Sequence, residues 1–302
     1  MGKPKTVTKC IIDADIVAYR AAAGTEWKID PDWVPPNNVV SKQKVAGTTY
    51  IDYVEDGVLK TCEVPMVRCT VRDTEEKVDL LMNYIVGETV VFPADSNLEC
   101  YLTGAGNFRF DVAKTAPYKG NRKDVPKPSN LPEARGYLQH KWGAIISEGE
   151  EADDLIGIAS ARGDPETTVV CTIDKDMMQL PCWNFNFVKN EWTCIGLEDG
   201  NKFFYTQIIT GDSADNIKGI HRIGPVKAGK ILEGLTTEQE LYDACVKAYA
   251  IEGFNSCKGH LEFDTVEDFM KHNHQVVIER VLENARLLWL RRYEGELWEP
   301  PR

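Results

Sequence analysis

The chain has 302 residues, 43% of them hydrophobic and 27% charged, and a formal net charge of −12. That is the size and composition of one large globular α/β domain or two smaller ones. No apolar run approaches the roughly 20 residues of a membrane span, so no membrane partner is expected.

Nine cysteines lie at irregular spacing with no Cys-x-x-Cys pair, and the start of the chain lacks an apolar signal stretch. These features predict reduced thiols and a cytoplasmic location, the host's cytoplasm if the chain is phage-encoded. The five histidines show no zinc spacing. A catalytic metal would therefore rest on carboxylates, and oxygen ligands favour magnesium or manganese.

In chain order, residues 7–12 read as a strand ending at Asp13-Ala-Asp15, and 16–23 as the helix that follows. Residues 24–68 are rich in Pro, Asn, Asp and Gly and read as an insertion, with a hairpin turning at Asp56-Gly57. Residues 74–86 have helical spacing, and 89–93 read as a buried strand leading to Asp95. Residues 107–131 are basic and proline-punctuated; from 107 to 127 six cations (Arg109, Lys114, Lys119, Arg122, Lys123, Lys127) face two acids (Asp111, Asp124). Helices are predicted at 134–142 and 150–161, with strands at 144–146 and 167–173. Beyond about 205 the chain reads as helical, at 206–210, 225–234, 236–250 and 265–292. Alternating strands and helices predict an α/β fold with a mostly parallel central sheet.

Two features carry chemistry. Acids gather where predicted strands end or helices begin: Asp13, Asp95, Glu150, Glu151, Asp153, Asp154, Asp174 and Asp176. Ligand sites of open α/β sheets collect at the carboxyl ends of strands. An acid at a helix start is often structural, stabilised by about 0.3–1 kcal/mol. Four acids in the five residues 150–154 exceed that need, and they repel one another unless a cation lies among them.

The second feature is the stretch Gly211-Asp-Ser-Ala-Asp-Asn-Ile-Lys-Gly-Ile-His-Arg-Ile-Gly224, continuing to Lys230. It joins Asp212 and Asp215 to Lys218, Arg222, Lys227 and Lys230, with glycines at 219, 224 and 229 that allow close backbone approach. Basic groups beside a helix start suit phosphates. Carboxylates beside phosphate-binding segments suit metal-assisted phosphoryl displacement, in which two divalent ions sit about 4 Å apart.

The order of Ile11-Ile-Asp13, Phe92-Pro-Ala-Asp95, Asn107-Phe-Arg109, Tyr118-Lys-Gly-Asn-Arg122, Glu148-Gly-Glu-Glu-Ala-Asp-Asp154, Thr172-Ile-Asp-Lys-Asp176 and the 211–224 stretch resembles the flap endonuclease (5′-nuclease) family. Within it the chain is most similar to stand-alone bacteriophage 5′-to-3′ exonucleases, from about residue 9 to about 291. The resemblance implies a PIN-like nuclease core over 1–204, carrying the 24–68 insertion and a basic arch at about 107–131. It implies a helical DNA-binding region over 205–302, with a helix–three-turn–helix at about 206–234.

It further implies that Asp13, Asp95, Glu151 and Asp153 line one metal site, with Asp154 close by. Asp174, Asp176, Asp212 and Asp215 would build the second. Lys119 and Arg122, with Asp153, would act on the scissile phosphate, and Tyr118 would stack on a base. Arg109, Lys218, Gly219, Arg222, Gly224, Lys227 and Lys230 would contact nucleic acid, in some relatives beside a potassium ion. The implied substrates are duplex DNA with 5′ ends or flaps and RNA–DNA hybrids, in replication, repair or recombination alongside replication proteins. The insertion matches no motif of the family.

Two other readings start from the same residues. Asp13-Ala-Asp15 after a strand also suits a haloacid-dehalogenase-like phosphatase, although that leaves the 211–230 stretch unused. A non-catalytic duplex-DNA-binding protein would use that stretch and leave the acids structural.

Overall fold

The computed structural model describes residues 2–46, 48–89, 97–122, 125–257 and 263–301. Its centre is a six-stranded sheet made by β1 (Lys9–Asp13), β7 (Asn97–Ala105), β8 (Ile145–Glu148), β9 (Thr168–Cys171), β10 (Trp183–Asn186) and β11 (Glu191–Cys194). Their spatial order is β11-β10-β9-β1-β7-β8, and every neighbouring pair is parallel except β10–β11.

β1 is fully inside the protein, with Cys10, Ile11 and Ile12 without solvent exposure. A strand covered on both faces reads as a continuous apolar run, which is what parallel sheets require. One face is covered by α1 (Ala14–Gly24), α2 (Val71–Thr89) and α4 (Leu131–Trp142), which bury Val17, Val78, Met82, Ile85 and Leu138. The other carries α5 (Ala152–Ala161), whose Ala152, Ile156 and Ala159 pack with Ile11 and Val170.

The 24–68 insertion has two parts. A short ribbon pairs β2 (Trp27–Ile29) with β6 (Met66–Arg68). Beyond it β3 (Val39–Val45), β4 (Thr48–Glu55) and β5 (Val58–Glu63) form an antiparallel sheet. The turn between β4 and β5 is Asp56-Gly57, both at positive φ (52° and 77°), as a two-residue primed turn demands.

The strand beside β1 is β7, over Asn97–Ala105, with Asp13 opposite Tyr101; the predicted strand at 89–93 lies, apart from Thr89, outside the described residues. The basic 107–131 segment contains α3 (Arg109–Val112) and a 3₁₀ turn at Gly120–Arg122, and at 117–122 it is tied down on the loop 213–216. Lys119 N–H donates to Asp215 O (2.9 Å), Asn121 Nδ2 to Ser213 O (2.9 Å), and Asn216 Nδ2 to Pro117 O (2.9 Å).

The helical half comprises α6 (Leu197–Thr210), the two-residue strands β12 (Gly211–Asp212) and β13 (Ile217–Lys218), α7 (Pro225–Ile231), α8 (Glu238–Ser256) and α9 (Val266–Leu288). Its core gathers Phe204, Ile208, Leu241, Tyr249, Phe269 and Val281. After α9 the chain turns back onto α5. Leu290 joins the Ile11–Ile156 core. At Gly157 an added Cβ would sit 2.4 Å from the Arg291 carbonyl oxygen, so only glycine admits that backbone.

Candidate active site

Because β1 lies in parallel between β7 and β9, with Ile12 opposite Cys100 and Cys171, the chain leaves β1 and β9 at the same edge of the sheet. Asp13 caps α1 by accepting from Ile16 N–H (3.2 Å), and Thr172 Oγ1 donates to its other oxygen (2.8 Å). Thr172 Oγ1 also accepts from Asp174 N–H (3.0 Å). Asp174 caps the 3₁₀ turn Lys175–Gln179 by accepting from Asp176 N–H (2.9 Å). Glu151 is the N-cap of α5, placing Asp153 in its first turn at the same edge. The hairpin β12–β13 then brings Asp212 and Asp215 across from the helical half.

These elements enclose a cleft of about 490 Å³ lined by Asp153, Asp174, Asp176, Asp212 and Asp215, together with Ile16, Lys119, Arg122 and Lys175. Its carboxylates are under strong mutual repulsion. Burial, then the nearby charges of Asp15 and Asp174, push Asp13 up to about 7. Burial, then Asp174 and Asp212, push Asp176 to about 7 as well. Asp153 is raised well above the ordinary carboxylate range by burial and by Asp13, Glu151 and Asp174. Burial raises Asp215 even though Lys119 and Arg122 oppose the shift.

Three ion pairs relieve part of this repulsion: Lys175 with Asp212 (2.8 Å), Arg122 with Asp215 (2.7 Å), and Lys119 with Glu151. Burial works against the Lys119 charge, but Glu151 and Asp215 outweigh it and hold the lysine protonated. Among the described residues no three acids already stand at coordinating spacing. The donor set is nonetheless all carboxylate, and burial first, then neighbouring acids, holds Asp13, Asp153, Asp176 and Asp215 above the ordinary carboxylate range. Hard divalent cations that prefer oxygen ligands fit that chemistry. Asp13, Glu151 and Asp153 would hold one, and Asp174, Asp176, Asp212 and Asp215 the other.

Beside the cleft, α6, the β12–β13 hairpin, the 219–224 turn and α7 follow one another as a compact unit. Gly211 has φ +67°, and a Cβ there would lie 2.3 Å from Gly219 N. A Cβ on Gly219 would lie 2.1 Å from the Thr210 carbonyl carbon, so both glycines are needed for the tight crossing. Lys218, Arg222, Gly224, Lys227 and Lys230 are exposed on this unit. Lys227 Nζ donates to Arg222 O (3.1 Å), which holds that corner of the basic surface.

No family model matches the chain. Among curated proteins it is 29% identical to DNA polymerase I of Deinococcus radiodurans over 140 residues, 42% of this chain and 15% of the polymerase. It is 28% identical to flap endonuclease Xni of Vibrio cholerae over 142 residues (41% of the chain) and 30% identical to flap endonuclease Xni of a Shewanella species (42%). The chain thus spans a small part of the polymerase and about half, 54%, of each flap endonuclease.

Among solved structures the fold matches the zinc-bound T5 5′-exonuclease (TM-score 0.52, 13% identity, 90% of this chain and 87% of that one). It also matches the T5 D15 protein co-crystallised with metal ions (0.51, 12%, 92% and 88%). The chain has the fold of these proteins.

Within this fold the predicted residues divide. Asp13, Glu151, Asp153, Asp174, Asp176, Asp212 and Asp215 converge on the same edge of the sheet, with Lys119 and Arg122 beside them. Asp95 lies outside the described residues. Asp154 is not beside the cleft: it is fully buried, and its carboxylate takes both ends of the Arg109 guanidinium (2.6 and 2.9 Å). Asp153 and Asp154 are adjacent on a helix, so their side chains diverge by about 100°, and only Asp153 faces the acids.

Arg109 is 1% exposed and also donates to the carbonyls of Leu287 and Trp289 (2.8 Å each). The expectation that it contacts nucleic acid is corrected: its charge is spent on a buried bridge between α5 and the chain after α9. Tyr118 is likewise no stacking platform. Its ring is buried and edge-on to Phe110 (5.9 Å), and its hydroxyl lies 2.9 Å from both Glu151 Oε2 and Asp215 Oδ2. That hydroxyl has one proton to donate, so it satisfies both carboxylates only when one of them is protonated.

Sequence reading missed Thr172, Lys175 and Gln207, whose Nε2 donates to Asp176 Oδ1 (2.6 Å). Thr172 and Lys175 could have been found by asking what donates to acids at strand ends; Gln207, 31 residues away from Asp176, carried no local signal.

Proposed function

We propose that the chain is a divalent-metal-dependent 5′ nuclease that hydrolyses phosphodiester bonds of DNA, as a 5′-to-3′ exonuclease and a 5′-flap endonuclease. The observation that carries this reading is the single edge at which acids from β1, α5, the turn after β9 and the β12–β13 hairpin meet beside Lys119 and Arg122. Two magnesium or manganese ions held there supply Lewis-acid activation of water and neutralise charge on the phosphate.

The chain's own residues do the rest. Lys119 and Arg122 stand where a phosphate entering the cleft would exchange their pairs with Glu151 and Asp215 for bonds to phosphate oxygens. That exchange frees the two carboxylates for cations, so substrate and metal entry support one another. Asp13 is held in a fixed rotamer by one bond to each oxygen, from Ile16 N–H and Thr172 Oγ1, and Asp174 by Asp176 N–H on Oδ1, which keeps the remaining lone pairs of both carboxylates oriented. The exposed cations of the 218–230 unit grip the duplex backbone, a contact that carries no base readout and weakens steeply with salt. Products would carry 5′ phosphates. RNA of RNA–DNA hybrids, a potassium ion at the 211–224 turn, replication proteins as partners, and a role in replication, repair or recombination in the cytoplasm belong to the same proposal.

The test is cleavage of 5′-labelled flap, blunt duplex and hybrid substrates with and without magnesium. Short 5′ products that vanish on chelation are expected. No cleavage with magnesium or manganese, or undiminished cleavage in chelator, would refute the reading.

A further inference from the structure

The insertion is anchored at the far end of the helix that begins at the cleft. Asp13 begins α1, Ile16 lines the cleft, and the exposed residues of that helix, Tyr19, Arg20 and Ala23, continue along one face from Ile16. Three residues beyond the helix comes Trp27, 52% exposed. Directly opposite it on the ribbon is Arg68, whose guanidinium carbon lies 5.4 Å from the centre of the indole ring.

Arg68 has no carboxylate partner among the described residues; it reaches Ser129 Oγ (3.4 Å), and Ser129 donates to Glu26 (2.9 Å). Asn130 Nδ2 donates to Thr74 Oγ1 (3.0 Å) at the start of α2. The basic 107–131 segment is therefore fixed at both ends, at the acids through Lys119 and Arg122 and at the ribbon through Ser129 and Asn130. Exposed Lys127 stands between them.

We propose that Trp27 and Arg68 form a stacking platform for a base of the 5′ single strand, several nucleotides from the cut. This rests on the nuclease reading and adds a binding site to it. An exposed indole holding a guanidinium on one face offers its other face to any nucleobase, and the cation suits the adjoining phosphate. An exposed tryptophan on an apolar ribbon could instead be surface decoration. The unpaired arginine stacked on it and the ribbon's tie to the basic segment favour a polyanion with aromatic bases.

Spacing makes the proposal specific. Helix α1, 11 residues long, spans about 16 Å, which is about five nucleotides at a stacked strand's rise of about 3.4 Å and fewer for a stretched one.

The experiment measures binding, in calcium, of a duplex with a ten-nucleotide 5′ flap, the same duplex with a two-nucleotide flap, and a blunt duplex. Wild type is compared with Trp27→Ala, Arg68→Ala and Trp27→Phe, and cleavage in magnesium is followed alongside. Trp27→Ala should weaken the long flap by about tenfold and leave the other two within about twofold, and Trp27→Phe should restore most of the loss. Arg68→Ala should give a smaller loss on the long flap alone.

Unchanged binding of the long flap, or equal loss on all three substrates, overturns the platform. If wild type cleaves flaps and Trp27→Ala is indifferent, the platform falls and the nuclease reading stands. If wild type binds long flaps through Trp27 yet never cleaves, the nuclease reading falls and the platform stands. Failure of wild type to bind any of the three overturns both.

Discussion

Replacing Asp154 by alanine tests whether this acid belongs to the metal centre or to the frame behind it. The carboxylate accepts two charge-assisted bonds from Arg109 and further ones from the N–H groups of Glu151 (3.2 Å) and Arg291 (3.3 Å). Arg109 keeps two carbonyl acceptors in the variant, but its buried charge loses the bidentate partner and keeps only Glu151, at 3.9 Å, as a counter-charge. Breaking a buried pair in this way costs about 3–5 kcal/mol. At about 2 °C per kcal/mol for a chain of this size, melting should fall by about 6–10 °C. The double variant Arg109→Met, Asp154→Leu removes both charges and should recover most of that loss. The assay is thermal unfolding by circular dichroism in chelator, paired with calorimetric titration of magnesium. A variant that melts within about 1 °C of the parent yet loses metal affinity would refute the structural role and return Asp154 to the metal site.

Asp153→Asn, one residue earlier, is expected to do the reverse. It should lower cleavage by more than the about 10–100-fold that loss of an outer-shell partner costs and leave flap binding in calcium within about threefold; retained turnover in single-turnover assays would exclude it from the site. In the metal-free protein, Asp13 and Asp176 have folded pKa values of about 7, above the unfolded value of 3.8. Between those limits the folded state holds protons that the unfolded state has released, so stability should fall as pH rises from about 4 to about 7, by about 1.4 kcal/mol per unit for each group. Saturating magnesium should flatten that slope, and urea unfolding at pH 5, 6 and 7 that shows no pH dependence in chelator would contradict the cluster's electrostatics. Replacing Lys227 and Lys230 by alanine should reduce the salt slope of duplex binding by about 0.9 per lost phosphate contact; an unaltered slope would remove them from the interface.

The site was legible where local chemistry and position coincide. Asp13 and Asp174 follow apolar strands, and an acid at the exit of a buried parallel strand has few places to be other than the ligand edge. Glycines 211 and 219 betrayed a tight crossing because no other residue tolerates one. What sequence could not show was partnership across distance. Arg109 and Asp154 lie 45 residues apart, and nothing local says that a lone arginine in a basic run turns inward while Arg122 stays at the surface. Tyr118 was misread for the same reason: the carboxylates beside its hydroxyl, Glu151 and Asp215, come from two other segments. β7 was missed because Asn97, Glu99 and Thr103 break up its apolar pattern. The hairpin β10–β11 was missed although Asn190 at its turn, with φ +55°, is a residue type that accepts that conformation.

The return of the chain after α9 has a consequence for biogenesis. Arg109, Gly157 and the Ile11 layer are translated well before residues 287–291, which supply the carbonyl acceptors and Leu290. A ribosome-bound nascent chain would therefore hold an unfinished α/β half until that segment has emerged. The order of translation and the order of packing differ here, and final consolidation waits on where the polypeptide closes on itself.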